Sequence, residues 1–351
     1  MEGQVIHFFG KNYLNGVPTR DDIVAENDEG LTAILEDALS KRQDIPFMAV
    51  DVEESTEFIN GNACYILRLY GPLINGQKAV VSIMGIQVFF DILIPDEEST
   101  DAFEEKISGI LSSAIKSYKI EYVKAYPFCG YHPEKKTYLC IFVSNTKQRK
   151  IAMKAIQKEK YVTASDDQFT YYRKVARECG ILLSGWSMIS KYVCESEVRK
   201  NPLCAYDFRV SIENFHPVEK LTSLKECFPI SVLMRDHTLI FTWDIKTYSS
   251  RGLGEFPEVI NEEDSVIMIC ITLHWKDDPR PLKQICLIDV ETASDPRWIT
   301  IVCGSQTNLL KAFALYWQAF SPDIQLGFND SQYDWPFIME KANRLHLIEW
   351  M

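Results

Sequence analysis

The sequence predicts a chain of α/β and α+β class. A mixed N-terminal domain over residues 1–205 is followed by a second domain over 206–351, whose mixed β-sheet is flanked by helices. Three observations predict this. At 351 residues the chain is long enough for two separately packed cores. In the first half, strand-like runs joined by turns alternate with amphipathic helical runs. In the second half several strand-like runs precede the first long helix, and a further strand–helix unit follows directly. The composition shifts at KNPLCAYDFRVSIENFHP, rich in turn residues, which places the boundary near Cys204.

The elements read as follows. The first forty or so residues are mixed and polar, with the acidic stretch DDIVAENDEG. FMAVDVEE alternates as a strand does. NACYILRLYGPLINGQKAVVSIMG reads as two strands around a turn, and IQVFFDILIPD as another strand. The spacing of apolar residues in DAFEEKISGILSSAIKSY predicts a helix. TYLCIFVSN is a strand, and TKQRKIAMKAIQKEK a basic amphipathic helix with Asn145 or Thr146 as N-cap. DDQFTYYRKVARECGI reads as one helix ended by Gly180. In the second half TLIFTWDI, DSVIMICITLHW, QICLIDVE, WITIVCG and PDIQLGF read as strands. SQTNLLKAFALYWQAF and YDWPFIMEKANRLH read as helices.

Composition excludes several classes. No apolar run reaches the roughly 18 residues of a membrane span. The N-terminus lacks the basic-then-apolar pattern of a secretory signal. The ten cysteines are scattered without a C-x-x-C, so buried reduced thiols are expected, and with them a cytoplasmic or nuclear setting. The six histidines are dispersed, and none is read as a ligand. The net charge of −12 argues mildly against a DNA-binding footprint over the whole surface. The basic helix is a local exception, although a solvated face is the commoner use of such a run.

The chemistry-bearing candidates are acids. Asp244 ends the run FTWDIKTYSS at the edge of a strand. Asp334 opens a helix after the strand end GFNDSQYDW, where the helix dipole favours a carboxylate. Either acid alone has an ordinary structural use. Together, on strand ends of one mixed sheet, they can face each other. Divalent cations such as Mg²⁺ or Mn²⁺ want oxygen ligands of this kind. Two such ions about 4 Å apart support phosphodiester hydrolysis.

WDIK and GFNDSQYDWPFI resemble the first two exonuclease motifs of family B DNA polymerases. The upstream stretches YGPLINGQKAVVSIMGIQVFFDILIP, KAYPFCGYHPEKKTYLCIFVSN and YYRKVARECGILLSGW resemble that family's N-terminal domain, so the likeness spans roughly residues 50 to 350. The resemblance implies a ribonuclease H-like 3′–5′ exonuclease domain that acts in DNA replication on a single-stranded 3′ end or primer–template. It implies Asp244 as the acid bridging both metals and Asp334 as an acid holding one. It also implies Asn329 and Tyr333 beside the bound strand, with Phe328 and Gly327 shaping its exit. One position departs from the pattern: Lys246 stands where the family's second acid is expected. The third exonuclease motif, Tyr-x-x-x-Asp, and the polymerase palm would fall after Met351. The ending HLIEWM, without a stop signal, reads as that of a truncated product or fragment.

Unit charges about 4 Å apart at an effective dielectric near 20 interact by about 4 kcal/mol, and by roughly 8 against a divalent ion. The long lysine stem relieves part of this. Even a quarter of it weakens metal binding by more than about tenfold. The sequence therefore predicts a weak Mg²⁺ or Mn²⁺ site at best and an impaired exonuclease. Lys246 can instead pair with Asp244 or Asp334 in place of the metal. Two other readings stand beside this one. The first is a catalytically inactive module that binds single strands through the basic helix and aromatic residues such as Tyr171 and Tyr172. The second is a different ribonuclease H-like nuclease using Glu255, Glu258 or Asp289.

Overall fold

A computed structural model describes residues 3–13, 16–194, 203–218, 228, 235–252 and 254–351. Among them no helix is long and apolar enough to cross a membrane.

Two apolar cores organise the chain. The first gathers buried residues from Leu35 to Phe228, the second those from Leu239 to Leu347 together with Phe8, Ile23 and Val24. In the first core, strands β2 (Ile45–Ala49), β3 (Asp51–Ile59), β4 (Asn62–Pro72) and β5 (Lys78–Met84) follow one another. The run FMAVDVEE is therefore split at Val50: its first part lies in a three-stranded sheet and its second in a five-stranded one. A third sheet has the order β6 (Val88–Leu93), β8 (Lys136–Val143), β7 (Tyr118–Ala125). Helix α2 (Leu31–Ser40) precedes these strands, and helices α3 (Thr100–Ala114) and α4 (Thr146–Lys158) pack on one another. They are capped by Ser99 and Asn145, whose side chains accept from Ala102 N and Gln148 N.

The predicted helix over DDQFTYYRKVARECGI is two pieces, a 3-10 turn Ser165–Gln168 and α5 (Tyr171–Glu178). From that turn Asp166 and Asp167 both reach a buried ion network. The first core closes with β9 (Gly185–Ile189), β10 (Val193–Cys194), β11 (Tyr206–Ser211) and β12 (Phe215–Pro217).

The second core is built on a six-stranded sheet. Its strands are β1 (Val5–His7), β13 (Leu239–Tyr248), β14 (Ser265–Trp275), β15 (Lys283–Ile288), β16 (Ile299–Val302) and β17 (Ile324–Leu326). Their order is β1-β16-β15-β14-β13-β17. β13, β14 and β15 are antiparallel neighbours, whereas β13–β17, β15–β16 and β1–β16 are parallel. This is the mixed sheet that the sequence predicts. Helices α6 (Gln306–Phe320) and α7 (Asp334–Arg344) pack against it through Leu309, Phe313, Phe337 and Ile338.

Strands cross the expected 205/206 boundary in both directions. β11 pairs with β5 and β12 with β9, so residues 206–217 complete sheets of the first core. Conversely β1 and α1 (Arg20–Glu26) belong to the second. The polar composition of the first forty residues hides both, because few apolar residues of that stretch reach this core: Phe8, Ile23 and Val24 are buried in it, and Ile6 and Val17 pack against it. A buried clasp joins the two cores. Arg20 binds Asp323 through both guanidinium nitrogens at 3.1 and 2.7 Å and donates to Gly76 O at 2.9 Å and Ser321 O at 2.7 Å.

Candidate active site

β13 carries Asp244 on the more open face of the sheet. The alternate residues Phe241, Trp243 and Ile245 are buried, so period-two alternation sends Thr242, Asp244 and Lys246 the other way. Two residues on along that face, Lys246 Nζ donates to Asp244 Oδ2. Both side chains remain roughly half-exposed, at 57% and 44%. The hydrogen bond to Asp244 raises the Lys246 pKa above the ordinary lysine value, with a smaller opposing effect of burial. The ammonium is therefore charged and seated on the Asp244 carboxylate.

Asp334 opens α7, as expected, and is buried at 4% exposure. Its Oδ2 has no hydrogen-bond partner among the described residues, so it is not spent on capping the helix. Burial raises its pKa to about 6, helped by Asp244 and Asp330 and opposed by Lys246. Asp334 therefore lies close enough to feel the charges of Asp244, Asp330 and Lys246. Of the two partners open to Lys246, the structure selects Asp244.

The loop from β17 to α7 has a constrained shape. Asn329 adopts φ +61°, a left-handed conformation that asparagine tolerates better than most residues. Its carbonyl accepts from Gln332 N and Tyr333 N, both at 3.1 Å. At Gly327 an added Cβ would lie 2.5 Å from Asp330 Cβ, so the turn excludes larger residues. Phe328 between them is 92% exposed. Tyr333 leans back: its hydroxyl meets Thr247 Oγ1 at 2.9 Å and its ring packs on Phe256 at 4.8 Å between centroids. Phe256 and Phe328 are thus two exposed aromatic side chains on loops beside the acids.

Residues that the sequence reading missed hold this arrangement in place. Gln325 Oε1 accepts from both Trp243 Nε1 and Trp335 Nε1 at 3.1 Å, tying β13 to α7. Asp264 pins the loop that carries Phe256. It accepts from Glu258 N at 2.8 Å and from Ser250 N at 3.0 Å, and these bonds, led by that from Glu258, lower its pKa to about 2. Their only sequence signal is a polar residue flanked by apolar or turn residues, which many structural positions share. Glu255 and Glu258, proposed as alternative acids, both face Arg251 at 3.8 Å. Asp289 accepts from Gln306 Nε2 at 3.3 Å, and burial raises its pKa.

A second acidic group lies in the first core. Asp91, Asp166 and Asp167 bring carboxylate oxygens within 4.8 Å of one another, a spacing at which acids can share a cation. Here protein cations answer them. Lys174 Nζ reaches Asp91 at 2.6 Å, Asp167 at 2.7 Å and Asp166 at 3.3 Å. Arg149 binds Asp167 at 2.7 Å, and Arg177 binds Asp166. Burial works against the charge on Lys174, but Asp91 and Asp167 outweigh it and raise its pKa.

The residues around Asp244 do not fit a two-metal centre. The Asp244 carboxylate is already ion-paired, and the ammonium holding it repels a cation that approaches. Asp334 Oδ2 is buried without a hydrogen-bond partner among the described residues.

The profile described as "DNA polymerase family B, exonuclease domain" matches residues 166–351. A curated relative named "DNA polymerase beta", from African swine fever virus (isolate Pig/Kenya/KEN-50/1950), is 32% identical over 335 residues, covering 94% of this chain and 26% of the relative. The DNA polymerase delta catalytic subunit of Schizosaccharomyces pombe is 20% identical over 326 residues, covering 88% of this chain and 28% of that protein. This chain therefore spans about a quarter of the length of these relatives. Among solved structures, the family B DNA polymerase from Pyrobaculum calidifontis superposes with a TM-score of 0.54 at 18% identity, covering 86% of this chain and 33% of that one. That likeness speaks for the fold.

Proposed function

The chain belongs to DNA polymerase family B, and from that premise we propose that it is an N-terminal and exonuclease-domain portion of a DNA-directed polymerase whose proofreading site is impaired. The exonuclease domain corresponds to the second core and the polymerase N-terminal domain to the first, with the 1–205 and 206–351 division adjusted by the strands that cross it. The observation that carries the reading is the Lys246–Asp244 ion pair, which puts a cation where the reaction needs a metal-binding acid.

The substrate class is single-stranded DNA with a 3′ end or a primer–template, in the service of DNA replication. Phe328, Asn329 and Tyr333 would contact the strand: Phe328 by stacking a base, Asn329 and Tyr333 by shaping the loop around it. Asp244 and Asp334 are a remnant metal and catalytic pair with weak affinity for Mg²⁺ or Mn²⁺. The unpaired thiols support a cytoplasmic or nuclear setting.

The test is a 3′-labelled single strand incubated with the purified protein and Mg²⁺. The expected result is no trimming above background. Robust Mg²⁺-dependent trimming that disappears in Asp244→Ala would overturn the reading.

A second reading, a catalytically inactive single-strand-binding module, is favoured by one surface. Lys147, Lys150, Lys154 and Lys158 are all exposed on α4. Their spacing sets them along one side of the helix. If this surface binds a strand, affinity falls steeply with salt, and replacing two of these lysines by glutamine flattens that dependence. A salt-independent affinity, or one that ignores the substitutions, rules this reading out.

A further inference from the structure

Beside Asp244 the sheet carries one continuous rung. Asp244 on β13 faces Cys270 on β14, Cys270 faces Cys286 on β15, Cys286 faces Thr300 on β16, and Thr300 faces Val5 on β1. Residues paired across strands share a sheet face, so both thiols lie on the face that presents Asp244. Burial deepens along the rung. Cys270 is partly exposed, Cys286 is 7% exposed and Thr300 is fully buried.

The hydrogen-bond phase of the β14–β15 ladder fixes how close the thiols stand. Asp289 N donates to Ile267 O at 3.2 Å, and the register Met268↔Ile288 sets these two residues opposite each other. Hydrogen-bonded and non-hydrogen-bonded pairs alternate along an antiparallel ladder. Cys270–Cys286 lies an odd number of rungs from Ile267–Asp289, so it is a non-hydrogen-bonded pair. Such pairs have Cα atoms about 4.5 Å apart and the closer side chains. That spacing lies inside the range a disulfide spans, about 4.4–6.8 Å. The two thiols are free.

We propose that Cys270 and Cys286 form a reversible oxidation site that closes as a cross-strand disulfide in response to a peroxide. Cys270 is the more exposed partner and reacts first. Its sulfur attacks the peroxide; the O–O bond breaks, one water leaves, and a sulfenic acid (S–OH) remains. The Cys286 sulfur then attacks the Cys270 sulfur. The S–O bond breaks, the S–S bond forms, and the Cys286 thiol proton leaves with the hydroxyl as a second water. Two electrons pass from the two thiols to the peroxide. Closure draws the Cys270 sulfur towards Cys286 and away from the Asp244 side of the rung. The inference rests on the strand register and does not depend on the nuclease reading.

The test treats the folded protein with hydrogen peroxide, blocks the remaining thiols under denaturing conditions and digests with trypsin. Lys276, Lys283 and Arg297 separate Cys270, Cys286 and Cys303 into different peptides. The expected product is a cross-linked pair of the Cys270 and Cys286 peptides, about 2 Da lighter than their sum and split by dithiothreitol. In Cys286→Ala the cross-link disappears and a dimedone-reactive sulfenic acid accumulates at Cys270. Three results would overturn the proposal: a Cys270 peptide that stays reduced while exposed Cys129 and Cys179 oxidise; Cys270 joined to any other cysteine; or Cys270 carried only to irreversible sulfinic acid in the parent protein.

Discussion

The two acidic clusters put the same side chain to different uses. In the first core Asp91, Asp166 and Asp167 face Lys174, Arg149 and Arg177, so each carboxylate has a protein cation beside it. At the rim of the second core Asp244 is paired, while Asp334 keeps an oxygen without a partner. The first arrangement is closed: a cation from solvent would have to displace a lysine that is itself 1% exposed. The second is only half closed, because its single lysine is half-exposed and sits on one of the two acids. Proximity of carboxylates is therefore a poor guide to a metal site. What matters is whether charge and lone pairs are left over once the protein's own donors are counted.

Breaking the closed cluster should have the largest effect. Lys174→Ala leaves three acids around a vacated buried position. It should destabilise the protein by about 3–5 kcal/mol, read as a lower urea midpoint. A loss under about 1 kcal/mol would mean that the network relaxes or admits water, and the contrast would weaken.

Lys246→Glu tests the half-closed cluster. Removing the cation and restoring an acid should raise Mn²⁺ affinity by at least about tenfold in calorimetric titration, without restoring full exonuclease turnover. Unchanged Mn²⁺ binding would remove Lys246 from the site.

The smallest effect concerns Asp334. Its folded pKa, about 6, lies above the unfolded value. The folded state therefore holds its proton more tightly, and stability is lost as pH rises between these two values. Asp334→Asn cannot ionise, so its midpoint temperature should match that of the parent at pH 4. At pH 7.5 it should exceed the parent by about 2 °C. A gain that is equal at both pH values would assign the effect to packing.

Legibility followed locality. Caps and periodic runs are local, and α4 starts at the Asn145 cap as read. Asp334 at a helix start was legible for the same reason, whereas Asp244, expected at a strand end, lies within β13, and the sequence left the partner of Lys246 open between Asp244 and Asp334. What escaped depends on distant partners. β1 is a three-residue edge strand whose partner lies near residue 300. The break before α5 coincides with an ion network that takes in Asp166 and Asp167. The Cys270–Cys286 pairing is set by strand register, to which a scan for C-x-x-C spacing is blind.

The Arg20–Asp323 clasp has a consequence for the order in which the chain assembles. The partners are separated by 303 positions, and β1 likewise waits for β16. At the ~5–20 residues per second of ribosomal synthesis, Arg20 leaves the ribosome roughly 15–60 s before its partner is made. Throughout that interval the earliest-made segment has no sheet to join, although the first core can already condense from the residues between. The segment that carries β1 and Arg20 is thus among the last to dock, and a nascent chain arrested before residue 299 would leave it open to proteases or chaperones.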